Sequence, residues 1–148
     1  MNEERKERGG EWPEGCRLIS IPSTGDQRGW LAFAEARSVV PFAIERVFWI
    51  YDVPAEARRG GHAHRTCAEL VVPVSGAFTM VVDDGRCRRS VRMDNPCEGI
   101  LVPASVWCEL IDFEPATVLV VMASQPYTAA GYVHDYQQYL QQRNTTRQ

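Results

Sequence analysis

Residues 58–76 read RRGGHAHRTCAELVVPVSG, and two imidazoles stand near their centre. His62 and His64 are one residue apart, Glu69 follows five positions after His64, and Gly76 seven after that. In an extended chain alternate residues share a face, so both rings would project together and Ala63 away from them. Such a pair can grip a metal ion, or it can work on a substrate proton with one ring supporting the other. Both chemistries stay open at this point. Two of only three histidines fall as His-x-His beside a run of arginine and glycine, which sets them apart from isolated surface histidines.

The flanking segments alternate like strands. Upstream, Phe42–Asp52 (FAIERVFWIYD) is rich in aromatic and β-branched residues. On a regular strand Arg46, Phe48 and Ile50 share one face, and Val47, Trp49 and Tyr51 the other. A sheet interior does not accept an arginine without an anionic partner, so Arg46 stands either at a rim or in a polar pocket. Downstream, strands are expected over 68–74, 77–83, 86–93, 99–103, 107–113 and 117–124, the last apolar enough to be buried on both faces. Ser75-Gly76, Asp84-Gly85 and Asn95-Pro96 punctuate them. Nearer the N-terminus, strands over 16–22 and 30–36 are expected to form a hairpin through the turn-rich STGDQRG. Met1–Gly15 reads as a loose tail, leaving 16–148 as a single domain. The tail end, Ala129–Arg143, changes period: Tyr132, Tyr136, Tyr139 and Leu140 suggest a short amphipathic helix packed by its aromatic stripe. Short strands at turn-punctuated intervals indicate an all-β antiparallel barrel or sandwich rather than a nucleotide-binding parallel sheet.

At 148 residues the chain has the size of one domain, able to bury a core without disulfides. A net charge of -3 excludes a general nucleic-acid surface, though not a local basic pocket for a small anion. No apolar run approaches the roughly 20 residues that span a bilayer, so no membrane partner is expected. The start, MNEERKERGGEW, is charged where a signal peptide would be apolar. Five cysteines without CxxC spacing point to reduced thiols and a cytoplasmic setting.

His62-x-His64-(x4)-Glu69-(x6)-Gly76 resembles the first signature of the cupin superfamily, a jelly-roll barrel. Glu56 stands where that signature has a glycine, and Cys108 where the second signature has a histidine. A narrower likeness rests on ordered blocks: ERVFWIYDVP, RRGGHAHR, the GxxxxxxDDG hairpin at Gly76–Gly85, PASVWCELIDF, VLVVMAS and YVHDYQQYL. Together they resemble the sugar 3,4-ketoisomerase family, also called WxcM-like or FdtA-like, from about Gly29 to Leu140.

That resemblance implies a cupin-type jelly-roll barrel with a short C-terminal helix. It implies an isomerase that moves the keto group of a dTDP-linked 4-keto-6-deoxyhexose from C4 to C3 through an enediol, without cofactor or metal. It makes His62 the principal base and His64 the second proton-handling group. Arg59 would meet the diphosphate, where its fork of donors suits phosphate oxygens. Arg46 would meet the diphosphate or a sugar oxygen, and Tyr51 and Trp107 would line the sugar or thymine site, beside Glu69. A homodimer with exchanged N-terminal strands is also implied. Relatives commonly carry glutamine in place of Glu69 and tyrosine near Phe48. Glu69 completes three of the usual metal ligands, so a metal-dependent cupin using His62, His64, Glu69 and Cys108 is the alternative, beside a non-catalytic nucleotide-sugar-binding barrel.

Overall fold

The computed structural model describes residues 10–147. Two five-stranded antiparallel sheets face each other across an apolar interior, the jelly-roll arrangement expected from the turn-punctuated strands. The first sheet runs β1 (Arg17–Ser20), β9 (Glu98–Val102), β6 (Glu69–Ser75), β11 (Val118–Ala123), β4 (Arg46–Ile50). The second runs β12 (Tyr132–Val133), β5 (Arg59–His64), β10 (Trp107–Ile111), β7 (Phe78–Asp83), β8 (Arg88–Met93). Strict alternation supplies the filling: Val71, Phe78, Met80, Val82, Ile100, Leu119 and Val121 turn inward and are buried between the sheets.

Each outer face is treated differently. Helix α1 (Tyr136–Thr146) lies on the second sheet, where Trp107, Ala63, Val133 and Tyr139 pack together. Asp135 caps it, its carboxylate accepting from the Gln138 N–H at 2.8 Å. The segment carrying Ala34, Val39, Phe42 and Ile44 covers Ile19, Leu70 and Val72 on one half of the first sheet. The other half is bare: Val47, Trp49, Tyr51 and Val74 are exposed, and Val118, Val120 and Met122 are only partly covered. The apolar strand of residues 117–124 is therefore buried on one face, not two.

Three expectations need correction. The N-terminal hairpin joins β2 (Ser23–Asp26) to β3 (Gly29–Ala32), while β1 pairs instead with β9. Ser-Thr-Gly-Asp is a strand without apolar alternation because neither of its faces is buried. The C-terminal helix begins at Tyr136, not 129: one 3-10 turn at Ala129–Gly131 and then β12 precede it. Finally, of the tail expected over 1–15, positions 1–9 lie outside the described residues, whereas Trp12 lies against the Arg89 guanidinium, 3.9 Å from its ring centre, and Pro13 is fully buried.

Candidate active site

The site is assembled at one end of the barrel by the register of both sheets. On β5, His62 and His64 project to the same side, their ring centres 5.1 Å apart and nearly perpendicular. Ala63 turns to the opposite side, beneath the helix. His62 stands across from Cys108, whose side chain belongs to the barrel interior. The imidazole pair therefore faces inward, as the alternation predicts.

The first sheet answers with opposite charges. Arg46, Ala123 and Glu69 occupy one row across β4, β11 and β6. Ala123 has only a methyl group, so the two long side chains can lean together over it. Arg46 Nη2 comes within 4.0 Å of Glu69 Oε2. Glu69 Oε1 lies 3.0 Å from His64 Nε2, but out of line for a hydrogen bond, so that contact is electrostatic. Arg46 is thus in the polar pocket rather than at a rim, stacked near Phe48 and Tyr127. Its Nε and His64 Nε2 are buried and make no hydrogen bond. The unpaired Nε–H of Arg46 favours an occupant with an oxygen to offer it, since an unmet buried polar group is costly.

Arg59 reaches the same side by an irregularity. It stands three positions before His62, which on a regular strand would place the two on opposite faces. A bulge intervenes: Cys108 pairs with His62 but Glu109 pairs with Gly60, and Leu110 then pairs with Arg59. Because Leu110 is an interior residue, Arg59 returns to the His62 face, exposed at the rim. Gly60 has φ +77°, and a Cβ there would meet the Cys108 carbonyl oxygen at 2.8 Å. Only glycine can make that step.

Tyr51 and Trp107 do not join the group. Tyr51 follows the outward alternation of Val47 and Trp49 and is 59% exposed on the far side of the sheet. Trp107 is opposite Ala63, so it packs with Tyr136 and Tyr139 under the helix. Two residues not singled out for the site take part. Tyr132 pairs with His64 across β12 and β5, its ring centre 4.9 Å from that of His62 and 4.5 Å from that of His64. His134, two positions on, lies 5.9 Å from His62 and stacks on Tyr132 at an interplanar angle of 11°. The legible signal was Tyr-x-His just before an aspartate that can cap a helix.

Burial pushes the His62 imidazole down to about 4, helped by the neighbouring imidazoles of His64 and His134 and opposed by Glu69. His62 is consequently neutral at physiological pH, with a free nitrogen. The Cys108 thiol is pushed far up by burial and then by Glu69, which keeps it protonated and unreactive. Donor atoms of His62, His64 and Glu69 lie within 4.8 Å of one another, so a cation could be held there by donor type; Cys108 is not in that group.

Fold and site together define a cupin-type barrel whose mouth is lined by histidines, a carboxylate and arginine. The match to the WxcM-like, C-terminal family spans residues 14–144, and the chain belongs to that family. It is 33% identical over 120 residues to a TDP-4-oxo-6-deoxy-alpha-D-glucose-3,4-oxoisomerase of Aneurinibacillus thermoaerophilus, covering 81% of this chain and 86% of the relative. A 3,4-ketoisomerase from Helicobacter canadensis superposes with a TM-score of 0.85 at 29% identity, covering 88% of this chain and 98% of the other. A mutant of the 3,4-ketoisomerase QdtA from Thermoanaerobacterium thermosaccharolyticum, in complex with TDP-4-keto-6-deoxyglucose, gives 0.88 at 25% identity, covering 90% and 97%.

Proposed function

We propose that this chain is a TDP-sugar 3,4-ketoisomerase that shifts the keto group of dTDP-4-keto-6-deoxyglucose from C4 to C3. The observation that carries the reading is His62, an imidazole held neutral inside a polar barrel mouth, against His64 and the Glu69 carboxylate. His62 takes the C3 proton, and the electron pair moves through C3 and C4 onto the former ketone oxygen. That oxygen gains a proton while the C3 hydroxyl loses one, with His64 handling the exchange and Glu69 behind it. Return of a proton to C4 leaves a ketone at C3, so no electron or atom is gained or lost and no cofactor is needed.

A base with so low a pKa is fully available at neutral pH but draws a carbon-bound proton weakly. The enediolate must therefore be stabilised as it forms, and the buried, unpaired Nε–H of Arg46 suits that oxygen. Arg59 at the rim is assigned to the diphosphate, where a bidentate fork is strongest. We place the activity in one domain spanning residues 16–148, onto which Trp12 and Pro13 also pack, and in the cytoplasm. Among the described residues no helix is long and apolar enough to cross a membrane. Incubation with dTDP-4-keto-6-deoxyglucose, with the carbonyl position followed by carbon NMR, tests the reading. A 3-keto product is expected, and intact substrate after prolonged incubation would overturn it.

One distance favours a second reading, in which a divalent cation sits among His62, His64 and Glu69. Full turnover in chelator after exhaustive dialysis is the expected outcome. Loss of turnover that a stoichiometric cation restores would select the second reading instead.

A further inference from the structure

Every histidine of the chain converges on the mouth, yet the isomerisation described above uses only two. Strand β12 repeats the device of β5. Tyr132 and His134 share one face, as His62 and His64 do, while Val133 and Ala63 pair on the other beneath α1. The two strands are antiparallel, with Tyr132 across from His64. Running the register one step further sets His134 beside His62. The ring geometry agrees: His134 lies flat on Tyr132 at 5.5 Å and presents to His62 at 82°, 5.9 Å away. Tyr132 in turn stands edge-on to His62 at 87°.

His134 is also firmly placed for an exposed side chain. Strand pairing anchors the chain through Val133, and the next residue, Asp135, caps the helix. His134 is therefore pinned between two elements rather than carried on a free loop. We propose that His134 is a positioning residue for the His62 base: by stacking on Tyr132 it closes the solvent side of the mouth and fixes the plane in which His62 meets the sugar.

This inference rests on the isomerase reading and deepens it. The other groups around His62 are His64 on the same strand, Glu69 from β6, Cys108 from β10 and Tyr132 from β12. Of this group His64, Glu69 and Cys108 are buried and Tyr132 is half-buried, whereas His134 stands at the solvent. His134 also opposes protonation of His62, as expected for two imidazoles that face each other.

The test compares His134→Ala with His134→Phe, the second of which retains a ring to stack on Tyr132. His134→Ala should lower kcat about tenfold while KM stays within about twofold, because a displaced base misses its carbon without weakening nucleotide contacts. His134→Phe should restore most of kcat. An unchanged kcat in His134→Ala overturns the proposal, and so does a loss that phenylalanine fails to rescue. Independently of substrate, the His62 Hε1 resonance of the free protein should move in His134→Ala and return towards its wild-type position in His134→Phe. A stationary resonance overturns the proposal too. If the wild-type protein turns over no substrate, the isomerase reading fails, and that resonance still decides whether His134 orients His62.

Discussion

At the scale of single residues the site turns on two imidazoles given unlike surroundings. His62 is half-buried and held down to about 4, whereas His64 has a carboxylate 3.0 Å away. Replacing His62 with asparagine should cut turnover by roughly 10²–10⁴-fold with the fold intact, the range for loss of a general base, read by product NMR and circular dichroism. The pH dependence follows from the same depression. In the free enzyme the base is neutral above its pKa, so kcat/KM should stay level from neutrality downwards and reach half its plateau near pH 4. Stability carries the same signature with a definite sign. Between about pH 6.5 and 4 the unfolded chain binds a proton at this position that the folded chain refuses. The stability involved is fully present above that window and is lost as pH falls through it, at most about 3 kcal/mol. Urea unfolding at several pH values should show that slope in the wild-type protein and a shallower one in His62→Asn. Equal slopes would mean that His62 is better hydrated than its burial indicates.

Among the elements, the bulge in β5 matters most, because it turns Arg59 to the face of the histidines. Gly60→Ala must place a methyl group against the Cys108 carbonyl oxygen and hold a positive φ. A cost of about 1–3 kcal/mol is expected. TDP affinity should fall as well, because removing the bulge would turn Arg59 away; Arg59→Ala should weaken TDP binding about tenfold or more without the loss of stability. Calorimetric titration and thermal unfolding together separate these effects. The bulge shows how much of the architecture could be read in advance. Alternation alone located β4 and β6 to β11 within a few residues and set His62 and His64 on one face, but it gave no strand before His62 and left Arg46 between a rim and a polar pocket. It could not locate the bulge, for which Gly60-Gly61 was the sole local trace. Nor could it say that Tyr51 and Trp107 lie on faces turned away from the mouth, since that depends on which face each sheet buries. At the C-terminus Tyr132, Tyr136 and Tyr139 fitted a helical period and concealed a strand. The cap at Asp135 outweighs that period, and pairing with β5 then takes Tyr132 and His134 into the site.

For the whole molecule, the question is what covers the apolar half of the first sheet. Trp49 is 62% exposed beside Val47 and Tyr51, and the β2–β3 hairpin holds Trp30 out at 82%. A soluble monomer rarely leaves so much contiguous apolar surface in water, and a second copy of the chain is the occupant that the family resemblance implies. Because Trp49 alternates with Arg46 and Phe48, its face is the reverse of the one bearing the site. Trp49→Glu thus changes the outer surface without touching the mouth directly. Light scattering should give the mass of two chains for the wild-type protein. The glutamate variant should shift towards one, since an unpaired carboxylate buried at the centre of such an interface costs several kcal/mol. A wild-type mass of one chain would leave the bare sheet to some other partner. The kinetics of the separated chain then carry the further information. If turnover survives dissociation, each barrel holds a complete site, and association serves only to hide the apolar face. If it is lost while His62 keeps its resonance, the exposed hairpin of one chain contributes to the mouth of the other, and dimerisation belongs to the chemistry.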